Sequence, residues 1–575
     1  MNMKKIIGLT FAFAAFVVVA GERVPLWPEG KMPDAQPHQI AAMLDEAQKS
    51  GFKAEEHRMP YLEWFEAPTN GTAKGCIILI SGGSYEVCCD MNLIKTWRER
   101  FTELGFQCVN LVYRTPRPKG LPIYKSAWED GQRAVRLVRS EAAKRGFDAE
   151  KIGAISMSAG SHLNVLLATS SQTPAYAAID ELDKLPCHLN FAMTCAIAYG
   201  VTDGYGIPNT RDGDAIDAKV DPAFKFDGKT CPMWMSHGGA DIYSPFASTL
   251  IYRQLRKRGI PAELHLYPDK GHGAYGLERA VEFLRAIGLL APLGPEVGIM
   301  NRFTSDEARD EHVKEPVWPE GKIPDVQTNQ CIPHIEWHMP KVLKTKAIQI
   351  IYAGGAYWGN DENGFEVTPM RRFLNEKGMA VVTMKYRTPR PAGLAKHTTA
   401  WQDVQRAIRI VRKEAPARGL DPNRIGLMGC SAGGHLTLMG ATSSKHRSYW
   451  PIDAIDKLPC NVQWAVAFYP AYALTDGADG WNATGGNDDS ARLVPEFSFD
   501  PATPPMLFLH GDADGYSPMA SVKVWEQLHR MGIQGELHTF AKRGHCFHGQ
   551  CAPGTGSYGV LDRIWDFLTE KGFNK

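Results

Sequence analysis

Short apolar runs closed by turn residues alternate along this chain with longer stretches whose apolar residues recur every three to four positions. Cys76–Ile80 (CIILI) ends at Ser81-Gly82-Gly83, and Val109–Tyr113 (VNLVY) is a second such run. Apolar runs without a polar face predict strands covered on both sides. Behind them, AWEDGQRAVRLVRSEAAKR sets Ala134, Val135, Leu137 and Val138 among charges, which predicts an amphipathic helix. KIGAIS then passes directly into MSAGSHLNVLLAT, helical in period, and RIGLMG passes into CSAGGHLTLMGAT in the same way. Strand alternating with helix predicts an α/β architecture, a mostly parallel sheet flanked by helices in three layers.

The pattern occurs twice. LWPEGKMPD from Leu26 answers VWPEGKIPD from Val317, YRTPRP from Tyr113 recurs from Tyr386, AWEDGQRA from Ala127 answers AWQDVQRA from Ala400, and IDELDKLPC from Ile179 answers IDAIDKLPC from Ile452. The period exceeds the roughly 20–50 residues of solenoid units, so each copy is expected to be a domain with its own core. The expected organisation is a leader at 1–21, a first domain at 22–291, a linker at 292–315 and a second domain at 316–575. The linker is set by PLGPEVG and the charged stretch SDEARDEHVKEP, which break the apolar periodicity. The leader is set by Lys4 and Lys5 before the apolar run Ile6–Ala20, which is short for a membrane span of about 20 residues and has the layout of a secretory signal. A secreted or periplasmic location is the corresponding expectation, with an uncleaved anchor as the alternative.

Chemistry enters at the strand-to-helix junctions. Ser156-Met157-Ser158-Ala159-Gly160 and Gly429-Cys430-Ser431-Ala432-Gly433 have the small flanks that a serine needs on a tight elbow. A tight turn whose serine merely caps a helix is the plainer alternative. Asp241 and Asp514 each follow an apolar strand ending in His-Gly, and His272 and His545 each follow a glycine 31 residues later. All three types recur at an offset of 273, so serine, acid and histidine keep one spacing in both copies. A nucleophile, its orienting carboxylate and its base in this chain order are the requirement for acyl transfer through a serine. Asp512 rivals Asp514, but its equivalent is Gly239. His265 and His538 alternate within strands and, with His548, are expected at the surface; His162 and His435 are expected to pack along the elbow helices rather than to catalyse.

A tetrahedral intermediate needs backbone donors aimed at its oxygen. Gly83-Ser84 with Ala159, and Gly355-Ala356 with Ala432, are the expected donors of two oxyanion holes. Tyr85 and Glu86 in the first copy, and Tyr357 and Trp358 in the second, are expected to line the pockets, with Trp358, Trp481 and Tyr357 available to stack on sugar rings. The change from Glu86-Val87 to Trp358-Gly359 predicts pockets of different specificity.

Composition narrows the partners. Lys+Arg and Asp+Glu stand at 64 and 63, so no net field recruits nucleic acid or an anionic membrane. Of twelve cysteines only Cys187 and Cys460 occupy equivalent places, which argues for buried thiols rather than a shared disulfide framework; Cys88-Cys89 and Cys546 with Cys551 are the candidate bridges. No paired Cys-x-x-Cys arrangement suggests zinc, and neither metal nor cofactor is expected.

On these motifs the chain resembles the α/β-hydrolase superfamily and, more narrowly, secreted bacterial acetylxylan or xylan esterases, in tandem. The resemblance rests on the WPEG opening, the glycine turn before an aromatic, the YR strand end, the DxxRAxRxVR helix, the SAGxH elbow and the closing GH. It departs where Ser81 and Ala353 precede the glycines and where Ser156 and Ser161 replace elbow glycines. It implies a carboxylic-ester hydrolase acting on acylated polysaccharide or oligosaccharide, acetyl foremost, with no membrane partner after leader removal. A feruloyl esterase, a general carboxylesterase, one active domain beside a carbohydrate-binding module, and a divalent-metal deacetylase are the alternatives.

Overall fold

A computed structural model describes residues 21–49, 60–66, 68, 73–88, 92–202, 218–291, 313–475, 481, 484–487, 489–548 and 559–575. The expected leader up to residue 20 and the linker from 292 to 312 lie outside these residues. The first half contributes β1 (Glu22–Pro25), β2 (Tyr61–Trp64), β3 (Cys76–Ile80), β4 (Gln107–Val112), β5 (Ile152–Met157), β6 (Phe191–Cys195), the small pair β7 (Val201–Thr202) and β8 (Lys219–Val220), β9 (Met233–Gly238) and β10 (Ala262–Tyr267). The second half contributes β11 (Lys314–Pro316), β12 (His334–His338), β13 (Ile348–Tyr352), β14 (Ala380–Lys385), β15 (Ile425–Cys430), β16 (Trp464–Phe468), β17 (Met506–Gly511) and β18 (Gly535–Phe540).

Each half carries the order 1-2-4-3-5-6-9-10 or its counterpart 11-12-14-13-15-16-17-18, parallel except for the two outer strands. Cys76–Ile80 and its counterpart Ile348–Tyr352 are buried along their whole length, as strands covered by helices on both faces should be. The amphipathic stretch of the first copy forms the helix Lys125–Arg145, which ends on Gly146 at φ 72°, a left-handed C-cap that glycine adopts without strain.

The halves do not merely sit in tandem. The edge strands β10 and β18 pair antiparallel, His265 opposite His538 and Leu266 opposite Leu537, so one 16-stranded sheet runs through both copies. His265 and His538 differ by the repeat offset, which puts a local twofold axis at this pair. An unpaired edge is a hazard for any sheet, and joining two edges removes both. Side chains satisfy what the short ladder leaves: Leu264 N–H donates to Thr539 Oγ1 at 2.7 Å, and Ala541 N–H to Glu263 Oε1 at 2.9 Å. The helices Phe246–Lys257 and Met519–Arg530 meet over the seam, where Thr249 and Arg253 both bind Glu526. One apolar cluster accordingly runs through both copies, while on the other face of the sheet the second copy has a cluster of its own and the first copy another that takes in Ala541.

His265 and His538 are therefore buried, contrary to the surface position that their alternation suggested. Their Nδ1 atoms lie 2.8 Å apart, one ring donating to the other, while their Nε2 atoms reach Glu263 and Glu536. Cysteines bear out the thiol reading: Cys76, Cys187, Cys195, Cys430 and Cys460 are buried thiols. Cys546 is a thiol as well, against its candidate bridge, and Cys88 donates its thiol to the Tyr113 carbonyl at 3.4 Å. Cys89 and Cys551 lie outside the described residues.

Candidate active site

Ser158 stands between β5 and the helix Ala159–Thr169, and Ser431 between β15 and the helix Ala432–Thr442. Both take a backbone conformation that L-residues avoid, φ 58° and ψ −127° at Ser158, φ 56° and ψ −118° at Ser431. Such strain persists only where the surroundings hold it. Here the serine N–H groups donate to Cys195 O and Phe468 O of the adjacent strands, each at 3.0 Å. The helices also press against the glycine turns: a Cβ on Gly160 would lie 2.3 Å from Ser81 O, and one on Gly433 2.5 Å from Ala353 O. Glycine is required at both positions. Ser156, which replaces an elbow glycine, is accommodated by hydrogen bonds to Ser161 Oγ at 3.1 Å and from Asn164 at 2.9 Å.

In the second copy the three expected residues meet. Ser431 Oγ lies 2.8 Å from His545 Nε2, and His545 Nδ1 lies 2.9 and 2.8 Å from the two oxygens of Asp514. Asp514 also accepts from Tyr516 N–H at 2.8 Å. Burial raises the Asp514 carboxyl, but hydrogen bonds from His510 and His545 outweigh it and hold the group below the usual carboxylate range. An ionised acid on Nδ1 fixes the tautomer in which Nε2 can take a proton. The rival Asp512 points elsewhere: it is buried at the seam, accepting from Tyr252 OH at 2.9 Å and Ala262 N–H at 3.1 Å.

In the first copy His272 Nδ1 lies 2.9 and 3.0 Å from the Asp241 oxygens. Asp241 is likewise raised by burial and more strongly lowered by hydrogen bonds from His237 and His272. Among the described residues, however, Ser158 Oγ has no hydrogen bond to His272 corresponding to that of Ser431. The walls around the base differ. His545 is faced by Tyr469, Trp481 and Tyr516 with ring centroids at 4.7, 5.4 and 5.2 Å, whereas His272 has Tyr243 at 5.0 Å and Ala196 stands at the position of Tyr469.

The glycine turns lie against both serines. A Cβ on Gly82 or Gly354 would fall 2.7 Å from the Cβ of Ser158 or Ser431. Gly83, Ser84 and Tyr85 have φ of 120°, 56° and 62°, and Gly355, Ala356 and Tyr357 have 103°, 53° and 62°. This succession of left-handed residues turns successive amides toward one side. The N–H groups of Ser84 and Ala159, and of Ala356 and Ala432, donate to no other group among the described residues. They remain available to an oxyanion.

Tyr85 and Tyr357 do not line the pockets as expected. Both are fully buried, with their hydroxyls 2.8 Å from His162 Nδ1 and 2.7 Å from His435 Nδ1. Each ring instead packs against a second tyrosine, Tyr113 or Tyr386, on a residue of left-handed φ. Trp358 and Trp481 do stand open, 63% and 56% exposed. Glu86 is exposed but ion-paired with Arg117 at 3.0 Å, which reduces its effect on charged substrates. His548 is buried rather than superficial, with Nδ1 2.7 Å from Tyr469 OH.

Two supports escaped the sequence reading. Arg117 donates to Ser84 O and Arg390 to Ala356 O, each at 2.9 Å, and each also reaches a tyrosine hydroxyl, Tyr199 or Tyr472. They brace the carbonyl side of each oxyanion turn, and their signal was the repeated YRTPRP. Glu366 accepts from Gly354 N–H at 2.8 Å and from Tyr469 OH at 3.1 Å. It belongs to no repeated motif, so nothing in the pattern singled it out.

Two stretches, residues 64–222 and 335–528, match the BD-FAE family model and together cover more than half of the chain. The chain belongs to the BD-FAE family. Each BD-FAE stretch includes its candidate nucleophile and oxyanion turn; the candidate histidines lie beyond both. The chain is 26% identical over 209 residues to endo-1,4-beta-xylanase B of Butyrivibrio fibrisolvens, an alignment covering 35% of this chain and 32% of that protein. It is 24% identical over 209 residues to the acetylxylan esterase of Xylanibacter ruminicola, covering 34% of this chain and 39% of that protein. The BD-FAE chain thus spans 32% and 39% of the length of these relatives. Among solved structures, the acetyl ester-xyloside bifunctional hydrolase of Caldicellulosiruptor lactoaceticus aligns at 24% identity and a TM-score of 0.38, over 46% of this chain and 98% of that one.

Proposed function

We propose that this chain is a serine carboxylic-ester hydrolase that removes acyl groups, acetyl foremost, from hemicellulose such as xylan. The reading is carried by the continuous hydrogen-bonded relay from Ser431 through His545 to Asp514, set on a strained elbow beside unengaged amides. Ser431 Oγ attacks the acyl carbon and its proton passes to His545 Nε2. The intermediate's oxyanion is received by the N–H groups of Ala356 and Ala432, and its collapse releases the sugar hydroxyl, protonated by His545. Water, deprotonated by the same nitrogen, then hydrolyses the acyl-enzyme. Ser158, His272 and Asp241 would run the same cycle in the first copy, with Ser84 and Ala159 as donors. The relatives named acetylxylan esterase and xylanase support the choice of hemicellulose. The basic and then apolar composition of Lys4–Ala20 supports export.

A second reading has a specific observation behind it. With no hydrogen bond from Ser158 to His272, the first copy would act as a carbohydrate-binding module for the second. Apo geometry often tightens only with substrate, so the retained residues favour two active sites. Acetate and ferulate release from acetylated and feruloylated xylan fragments by wild type, Ser158→Ala, Ser431→Ala and the double variant separates these readings. Loss of acetate release in Ser431→Ala alone would assign binding to the first copy, and full activity of the double variant would refute the serine mechanism.

A further inference from the structure

Beside the second candidate site, three metal-binding side chains from three different segments converge. His397 immediately precedes the helix Thr398–Glu414, His435 lies four residues beyond Ser431 in the elbow helix, and Glu496 comes from the loop before Phe497. Glu496 Oε1 is 3.4 Å from His397 Nδ1 and 3.3 Å from His435 Nε2, and one donor atom from each residue lies within 4.8 Å of the others. We propose that His397, His435 and Glu496 bind a single divalent transition ion of the zinc type, in the second copy only.

The distances favour coordination over simple pairing. N–H···O bonds run at about 2.7–3.2 Å. Two ligands held about 2.0–2.1 Å from zinc at the tetrahedral angle are separated by about 3.4 Å. His397 Nδ1 is a buried nitrogen with no hydrogen-bond partner among the described residues. His435 has an outer partner on its other nitrogen: its Nδ1 lies 2.7 Å from Tyr357 OH, a hydroxyl that can accept from Nδ1–H when Nε2 is the ligand.

The first copy supplies an internal comparison. His162 has the same tyrosine on Nδ1, but its Nε2 makes an ordinary 3.0 Å hydrogen bond to Asp221, and Tyr124 occupies the position of His397. Two ligands and a satisfied bond make no metal site. The other cluster of the same type, His334, Glu336 and Glu362, is already neutralised by lysine, with Lys385 Nζ 3.1 Å from Glu362. The ion would pin the elbow helix and, through Tyr357, the oxyanion turn. It would not touch the reacting atoms, which sets this site apart from the deacetylase alternative and amends the expectation of a metal-free chain.

The test uses full-length protein without a histidine tag, stripped with chelator and then equilibrated with Zn²⁺ against a competing chromophoric chelator. Wild type should retain a single ion per chain, raise its thermal midpoint on Zn²⁺ addition, and with Co²⁺ show the intense visible bands of tetrahedral coordination. His397→Tyr, which copies the first domain, and Glu496→Gln should each lose the ion. Removing groups that only orient a ligand costs about 10–100-fold in affinity, so these losses should be larger. His334→Ala should retain it. Chelator-treated variants should unfold at the metal-free wild-type midpoint, which separates ligand loss from misfolding. Wild type that binds no Zn²⁺, or that binds it no more tightly than both ligand variants, would overturn the proposal.

Discussion

Asp512 and Asp514 stand two residues apart after the same strand, yet one faces the seam between the copies and the other faces a histidine base, so the Asn substitution should do opposite things to them. The experiment belongs in a Ser158→Ala background, where only the second site turns over. In Asp514→Asn the single acceptor oxygen remains with Tyr516 N–H, and the new NH₂ group faces His545 Nδ1, which must then accept a hydrogen bond rather than donate one. His545 Nε2 then carries the hydrogen and cannot take the proton of Ser431. The same substitution in a studied serine protease lowers kcat about 10⁴-fold, or about 5.4 kcal/mol of transition-state stabilisation. Asp512→Asn instead leaves one acceptor for Tyr252 OH, Ala262 N–H and Arg256, which lie at 2.9, 3.1 and 3.3 Å. Each buried donor left without a partner costs about 1–3 kcal/mol, so the urea midpoint should fall while kcat on p-nitrophenyl acetate stays within about threefold. A normal kcat in Asp514→Asn, or a collapse of kcat in Asp512→Asn with its urea midpoint unchanged, would refute the assignment.

A serine-directed fluorophosphonate should label both copies, with Ser431→Ala and Ser158→Ala each removing one of the two sites; labelling of the second alone would assign the first to binding. Arg390→Ala frees the Ala356 carbonyl and should lower kcat by about 10–100-fold with KM little changed, less than the about 10²–10³ of losing an oxyanion donor outright. With Ser158→Ala present, Trp358→Ala should raise KM for feruloyl or xylo-oligosaccharide esters, by a loss of about 0.5–1.5 kcal/mol of aromatic contact, and leave acetyl transfer from small esters unchanged. Burial lowers His265 and lowers His538 well below its usual value, so the folded chain binds fewer protons than the unfolded one in the window just below the ordinary histidine pKa of about 6.5. Stability is therefore full above that pH and declines as pH falls through the window; replacing both histidines by Gln should flatten this part of the thermal-midpoint profile, and an unchanged slope would exclude the pair as its source.

The fold and the candidate chemistry were legible in the sequence for the same reason. An elbow, a glycine turn and a loop histidine after a strand are local patterns, written in a few consecutive residues, and the tandem copy repeats each at the same offset. Ser158, Asp241 and His272 were singled out on that basis beside Ser431, Asp514 and His545, with the second set the stronger because its elbow carries glycine on both flanks, and each candidate acid lies against its candidate histidine. Other features arise from contacts between segments far apart in the chain, and local pattern does not encode them. The alternation of ELHLY and ELHTF predicts a strand but not whether its outer edge meets water or another edge, so the burial of His265 and His538 became evident only where β10 and β18 join. Tyr357 looks like a pocket aromatic until its ring packs, buried, against Tyr386. The relay to Ser431 and its open counterpart at Ser158 are accompanied by a different wall behind the base, a tyrosine in one copy and an alanine in the other, just past a strand some 76 residues from each histidine. Sequence by itself determined the elbows, glycine turns and loop histidines that make up the candidate sites, because short-range backbone geometry dictates them; only the packing of distant segments decided how tightly each set is assembled and that two copies share one sheet.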